Sequence, residues 1–528
     1  MSGASMNAAA VSGRAIGAEM SGASMGGTAT RRASMDGTAT SDCAATEVAM
    51  DSQTALELRG VSFRYDGGAP SDGIDDVNLS VGAGSCVVLT GPSGSGKTTC
   101  TRVANGLVPA YWPGDMAGAV LVENADAARM PLWQRGRFVG SVFQDPASQF
   151  FSSELCGEVA FGCENYGFDQ ADIASRTEGA IAAFGLEILR DSSLDVLSSG
   201  EKQRVAVASA CAPNPRIIVC DEPTANLDDE GAAMLADQIG KLKAMGCAVL
   251  ISEHRLAWLE GIADRVVYIE DGRIRWNRSF EDVAAMGDAE RTQLGLRSAV
   301  PVNLPDLPEP AGAGEPLLDA RDLAFRFGKR ELWSGISFKI WPGQIVALTG
   351  RNGCGKSTLA RTLAGLVRQR AGTVSIGGAP LRPAARGRRV WYGANSTASQ
   401  FFTSSVSDEL LLGRIHDEDL VGRARRLLEK LGLYPWKDAH PATLSGGQKQ
   451  RLALACGILS DRDVLIFDEP TSGLDGATMA IVADAIAEAA AAGKAVIVVT
   501  HDGEMAERCC THRFRLDGVS QAYPRSRR

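Results

Sequence analysis

The sequence predicts an α/β chain in which one domain, built on a mostly parallel sheet, occurs twice in tandem. Three observations predict it. Gly91, Gly96, Lys97 and Thr98 satisfy a G-x-x-x-x-G-K-[ST] phosphate-loop pattern, set between the apolar run Cys86-Val87-Val88-Leu89 and the start of a helix pattern. The pattern returns at Gly350, Gly355, Lys356 and Ser357, after the apolar run Ile345-Val346-Ala347-Leu348. Other apolar runs end in acids or in a histidine at matched positions. Gly200 and Gly447, Glu222 and Glu469, and His254 and His501 are each 247 residues apart. Lys97 and Lys356 are 259 apart, so the first half carries a net surplus of 12 residues between its phosphate loop and Gly200.

The spacing within each loop has a chemical reason. Glycines let successive backbone N–H groups turn inward around phosphate oxygens, the lysine brings a cation to the β- and γ-phosphates, and the following hydroxyl can ligate Mg²⁺. The helix that starts there adds its N-terminus to the anion site. The loops therefore nominate Gly91, Ser93, Gly94, Gly96, Lys97, Thr98 and Thr99 in the first half. In the second they nominate Gly350, Asn352, Gly353, Gly355, Lys356, Ser357 and Thr358.

Composition sets limits. A chain of 528 residues can hold two or more domains with large cores. Its 45% hydrophobic and 22% charged content is that of a soluble globular protein. The net charge of −9 gives no support for nucleic-acid binding. No apolar run is long enough to cross a bilayer, so a membrane role requires a partner that spans. The 12 cysteines are scattered, without metal-like pairs, which suits a reducing compartment with free buried thiols. The adjacent Cys509 and Cys510 read as two ordinary thiols.

Residues 1–53 are rich in Ala, Ser, Gly, Met and Thr, contain a short internal repeat, and lack an apolar h-region. They read as a disordered tail rather than a signal peptide. Residues 54–290 read as the first domain. Its opening strand pattern ends at Tyr65, an aromatic placed to stack on a flat base. After the phosphate loop, Val139–Phe143 is a short strand pattern that delivers Gln144, and Pro146 prevents regular continuation. The Gln144 amide is a candidate for contact with both Mg²⁺ and an attacking water. Leu197 to Arg204 opens a helix whose small residues, Ser198 and Gly200 among them, form a second anion site. The strand Ile217–Cys220 ends in Asp221, placed to hold Mg²⁺ through water, and Glu222, placed to polarise the attacking water. A tight turn, Ala225-Asn226-Leu227-Asp228, follows, and a later buried strand ends at His254.

Residues 291–316 contain Pro301, Pro305, Pro308, Pro310 and Pro316 and read as a linker. Fully extended, such a stretch reaches about 90 Å and need not restrict how the halves face each other. Residues 317–528 repeat the first domain. Phe327 stands where Tyr65 stood, and Asp468, Glu469 and His501 stand where Asp221, Glu222 and His254 stood.

Leu444-Ser445-Gly446-Gly447-Gln448, lying between a phosphate loop and an acidic strand, resembles the diagnostic element of the ATP-binding cassette (ABC) ATPases, here with two cassettes fused. The resemblance covers residues 54–528 apart from the linker. It implies P-loop NTPase domains, each with a parallel core, an antiparallel β subdomain and a helical subdomain. It also implies head-to-tail pairing, with each ATP between the phosphate loop of one half and the signature stretch of the other. Such ATPases work with Mg²⁺. The segment from Val142 to Asn165, with Gln149-Phe150-Phe151, is similar to the energy-coupling-factor (ECF) importers for vitamins and metal ions. Ser399-Gln400-Phe401-Phe402 repeats it. That likeness implies a T-type membrane scaffold, a substrate-capture membrane subunit, one chain per transporter, and a place on the cytoplasmic face of the cell membrane. Phe150-Phe151 is then a candidate seat for a coupling helix. The alternative is a soluble twin-cassette ATPase acting on ribosomes. Such proteins carry a long charged helical linker and usually lack the histidine, unlike the Pro-rich linker, His254 and His501 here.

The departures from the family pattern collect in one site. Gapless pairing sets Asn395 opposite Gln144, an amide shorter by about 1.5 Å. Ser199 and Glu201 replace the Gly and Gln of the signature. At ~8 Å from a γ-phosphate, Glu201 would add repulsion of about 2 kcal/mol at an effective dielectric of 20. Head-to-tail pairing puts Gln144, Glu222 and the intact 445–448 stretch in site one, and all the departures in site two. Site one is expected to hydrolyse faster.

Overall fold

Alternation builds the small sheet of the first half. In β1 (Thr54–Tyr65), Leu56, Leu58, Val61 and Phe63 are buried, and β1 pairs antiparallel with β2 (Gly73–Gly82) and β4 (Gly114–Val122). The short β5 (Ala125–Asp126) completes the order β2-β1-β4-β5. The computed structural model describes residues 54–68, 72–225, 227–328, 330–395, 400–414 and 416–516, without the side chains of Ser199 and Arg330. The tail expected over 1–53, Asn226 of the tight turn, Ser399 of the aromatic repeat, and the Ser199 side chain lie outside the described residues.

The large sheet takes the continuous apolar runs. It comprises β3 (Cys86–Thr90), β6 (Val139–Val142), β7 (Ile217–Asp221), β8 (Ala248–Ser252), β9 (Arg265–Glu270) and β10 (Arg273–Ser279), in the order β10-β9-β3-β8-β7-β6. All neighbours are parallel except β10 on β9. The run in β3 is unbroken because both faces are covered. Cys86 and Val88 join the core on one side, while Val87 and Leu89 join the core shared with the small sheet. Helices Leu155–Asn165, Gln170–Ala183 and Ser199–Cys211 pack together as the helical subdomain.

The second half follows the same plan. Its antiparallel sheet contains β11 (Leu318–Phe327), β12 (Arg330–Ile340), β14 (Ala371–Ile376) and β15 (Ala379–Pro380), in the order β12-β11-β14-β15. Its parallel sheet contains β13 (Ile345–Thr349), β16 (Val390–Gly393), β17 (Val464–Asp468), β18 (Ala495–Val499) and β19 (His512–Arg515), in the order β16-β17-β18-β13-β19. In each half, parallel pairing brings the carboxyl ends of four strands to one edge. Those ends deliver the phosphate loop, the glutamine or asparagine, the acid pair and the histidine. Ligands of open α/β sheets bind at such an edge.

Two details differ from the simplest reading of the sequence. The linker is tied to the second half. Arg297 is buried, its guanidinium 2.6 Å from Asp502 and 3.0 Å from Glu504. Burial pulls that guanidinium down, but the two carboxylates hold it above its ordinary value. The Phe150-Phe151 pair also splits. Phe150 packs against the core, while Phe151 is 75% exposed and stacks on Phe161 at 4.9 Å. Phe402 is likewise 86% exposed, beside a half-buried Phe401.

Candidate functional site: two composite nucleotide cavities

Each phosphate loop is a tight arch held against its own sheet. Gly91 has φ 138°, and a Cβ there would lie 2.0 Å from the Ile269 carbonyl oxygen. Only glycine fits. The loop runs straight into helix Lys97–Asn105, and its counterpart into helix Lys356–Ala364. Lys97 Nζ donates to the carbonyls of Gly91 (2.9 Å) and Pro92 (2.8 Å). Lys356 Nζ does the same to Gly350 (2.7 Å) and Arg351 (3.1 Å). Burial lowers the Lys97 pKa, against the opposing pull of Glu222, Asp475 and Asp221.

Two cavities of ligand size open at these loops, of about 490 Å³ and 360 Å³, and each is walled by both halves. The first takes Tyr65, Ser93, Gly94, Gly96, Lys97, Thr98, Thr99, Gln144, Glu222 and His254 from the first half. It takes Ser445, Gly446 and Gly447 from the second. The other takes Phe327, Asn352, Gly353, Gly355, Lys356, Ser357, Thr358, Asn395, Asp468, Glu469 and His501, with Ser198 and Gly200 from the first half. Asp221 borders the adjoining space with Thr98 and Gln144.

Gln448 is placed differently from its neighbours. Its side-chain oxygen accepts the Ser445 N–H (2.8 Å), and the Ser445 hydroxyl accepts the Gln448 N–H (3.3 Å). This capping box closes helix Gly446–Leu459 and turns Gln448 back onto its own helix. Glu201 makes the same box with Ser198, at 2.8 and 3.3 Å. The Gln-to-Glu exchange therefore preserves the local geometry.

The acid pairs sit at the ends of β7 and β17. Glu222 and Glu469 adopt φ 46° and 51°, a left-handed conformation that costs a non-glycine residue roughly 1–3 kcal/mol. The Gln144 amide donates to Glu222 at 2.7 Å. His254 Nε2 stands 3.5 Å from Glu222, and His501 Nε2 stands 3.9 Å from Glu469. Burial, then the adjacent aspartate, pushes both glutamates up to about 8. Burial, then the neighbouring loop lysine, holds both histidines down: His254 well below its ordinary value and His501 at about 4. Each imidazole is therefore neutral at pH 7.

Hard oxygen donors stand where a divalent ion would be expected. The Thr98 hydroxyl lies 3.2 Å from Asp221 Oδ1, and Ser357 and Asp468 face the other cavity together. A hydroxyl and a carboxylate beside a phosphate cradle fit Mg²⁺, which takes few protein ligands and completes its shell from phosphate and water.

Head-to-tail pairing was expected, but two aspartate contacts across the halves were not. The Ser93 N–H donates to Asp475 Oδ2 (2.8 Å), and the Asn352 N–H to Asp228 Oδ2 (3.2 Å). The recurrence of Leu-Asp at 227–228 and 474–475 was the available signal. Gly473, at φ 67°, passes so close to the first acid that a Cβ would lie 3.0 Å from Glu222 Oε2. At the outer end, the Tyr65 hydroxyl meets Thr99 Oγ1 (3.2 Å) and accepts from Arg102 (3.1 Å), whose guanidinium lies 4.0 Å over Trp112. Trp112, in the surplus stretch of the first half, was also missed. Phe327 offers the second cavity a ring that is 60% exposed, without a hydroxyl.

Comparison with known proteins agrees with this geometry. The ABC transporter family model matches residues 74–225 and 333–472. A Treponema denticola protein named as an ABC transporter ATP-binding protein is 38% identical over 88% of this chain and 95% of its own length. A Bacillus subtilis relative, YkoD, named as an HMP/thiamine import ATP-binding protein, is 31% identical over 85% of this chain and 87% of its own. Among solved structures, archaeal ribosome recycling factor aABCE1, in complex with stalk protein aP1, superposes with a TM-score of 0.59. It covers 86% of this chain and 87% of its own at 23% identity, a likeness of fold.

Proposed function

The chain belongs to the ABC transporter family of ATP-hydrolysing subunits, with two cassettes in one polypeptide, and on that premise we propose that it powers an importer of the ECF type. It would sit on the cytoplasmic face of the membrane, one chain per transporter, on a T-type scaffold with a substrate-capture subunit. The cargo class would be a vitamin or a metal ion. The observation that carries the reading is the pair of cavities, each walled by both halves and bridged by Asp475–Ser93 and Asp228–Asn352. Among the described residues no helix is long and apolar enough to cross a membrane, so the transmembrane path falls to partners. The exposed Phe151 and Phe402, beside the glutamine segments, support docking onto those partners. The relative named for HMP/thiamine import supports the cargo class.

In this reading ATP lies between the phosphate loop of one half and the Ser-Gly stretch of the other. Lys97 and Lys356 bind its terminal phosphates, and Tyr65 and Phe327 face its base. Thr98 with Asp221, joined by Gln144, and Ser357 with Asp468, would hold Mg²⁺, whose charge offsets that of the phosphates. In their ionised form Glu222 and Glu469, made strong bases by pKa values raised to about 8, accept a proton from the attacking water. Their left-handed backbone sets the carboxylate direction, and the neutral His254 and His501 stand 3.5 and 3.9 Å away. Closure of the two halves around nucleotide and their release after hydrolysis would move the docked membrane partner.

The test is purification of the tagged full chain from detergent-solubilised membranes, with ATPase activity assayed on the eluate. Co-purification of a small polytopic scaffold protein with a second membrane subunit supports the reading. Recovery with ribosomes and no membrane protein overturns it.

A further inference from the structure

The metal-side carboxylate has different neighbours on its two flanks in the two halves. In the first half, Asp221 lies in register with Ser252 of β8. In the second, Asp468 lies in register with Val499 of β18, which has no hydroxyl to offer. The other flank shows the reverse exchange. Ser141 of β6 stands opposite Val219, and at the matching place Tyr392 of β16 stands opposite Ile466. The Tyr392 hydroxyl donates to Asp468 Oδ2 at 2.9 Å, and Arg361 Nε approaches that hydroxyl at 3.4 Å.

The arginines diverge as well. Arg102 and Arg361 each follow their loop lysine by five residues. Arg102 turns outward to Tyr65 and Trp112, at the base end of its cavity. Arg361 turns inward, to the tyrosine that grips the acid. A carboxylate buried beside a phosphate loop needs a donor to fix its rotamer, because an unpaired buried oxygen is costly. The first half takes the Thr98 hydroxyl (3.2 Å). Among the described residues Ser357 makes no such bond to Asp468, and Tyr392 supplies the donor.

The geometry points to Tyr392 as a positioning residue of the second nucleotide site: its hydroxyl holds one oxygen of Asp468 so that the other faces Ser357 and the metal-binding side of the cavity. The inference rests on the reading of Asp468 and Ser357 as the metal-holding pair of that site. Outer partners of metal-holding carboxylates set affinity for the ion, and their loss typically weakens it 10- to 100-fold.

The experiment uses the full chain carrying Thr98→Ala and Asp221→Asn, which removes the metal-holding pair of the first site. Mn²⁺ is titrated in the presence of a non-hydrolysable ATP analogue, and bound Mn²⁺ is read by electron paramagnetic resonance. Tyr392→Phe, which removes one oxygen atom, is expected to raise the Mn²⁺ dissociation constant about tenfold or more. Affinity for the analogue in excess EDTA should stay unchanged. Adding Val499→Ser to Tyr392→Phe places a hydroxyl on the other flank of Asp468 and should recover part of the loss. Unchanged Mn²⁺ affinity in Tyr392→Phe, while Asp468→Asn abolishes binding, would overturn the inference alone. Mn²⁺ binding indifferent to Asp468→Asn would overturn the underlying reading of the pair. An equal loss of metal-free analogue binding in Tyr392→Phe would reduce the tyrosine to a packing role and overturn the inference.

Discussion

The Gln144 amide donates to the Glu222 carboxylate at 2.7 Å, whereas among the described residues no hydrogen bond joins Asn395 to Glu469. The two sites therefore present their acids differently. In site one the amide fixes the direction of the carboxylate. In site two, among the described residues, the shorter Asn395 side chain makes no such bond.

From this asymmetry, Glu222→Gln should lower ATP turnover far more than Glu469→Gln. Loss of a general base typically costs 10²- to 10⁴-fold, and the larger share is expected in site one. Steady-state phosphate release from the two single variants checks it, and equal turnover would rule the asymmetry out.

Asp475→Ala removes the carboxylate that accepts the Ser93 N–H across the halves. A hydrogen bond to a charged group is worth about 1.5–3 kcal/mol, so ATP affinity at site one should fall roughly ten- to a hundredfold. Asp228→Ala should have the smaller effect, because its bond to Asn352 is longer, at 3.2 Å. Equilibrium binding of a fluorescent ATP analogue separates the two.

Arg297→Met breaks the buried ion pair that ties the linker to the second half. Removing one partner of such a pair costs about 3–5 kcal/mol, read as a shift of the urea midpoint. The loss should depend on pH. Burial raises the Asp502 carboxyl, but Arg297 and Arg255 hold it, on balance, below its ordinary value. Its stabilisation is present above the unfolded value of about 3.9 and disappears as pH falls through the lower folded value. The deficit of Arg297→Met should be full at pH 7 and shrink in acid.

Phe151→Ala and Phe402→Ala should leave folding intact, since both rings are mostly exposed. They should weaken recovery of the membrane partners. Co-purification from detergent extracts, with ATPase activity of the free chain as control, measures this. Full recovery by the double variant would remove the aromatic pair from the docking surface.

The repeat, the two phosphate loops, the acid pairs and the histidines were legible because each is a local pattern. An apolar run predicts a strand buried on both faces, and residues that follow its end are delivered to one edge of the sheet. Gln448 has a local role that the same reasoning did not include. Its motif marks a nucleotide contact, but a glutamine three residues after a capping serine reaches its own helix start first.

The sequence by itself determined that two copies of one nucleotide-binding domain exist and which residues each edge would carry. Tertiary structure decided which edges meet. Asp475 reaches Ser93 and Gly473 lies against Glu222 because packing of the halves selects those partners over hundreds of residues. Tyr392 grips Asp468 because two strands of one sheet fall in a particular register. Spacing along a chain fixes what a strand delivers, but contact between distant segments depends on the summed packing of both faces, which no local pattern encodes.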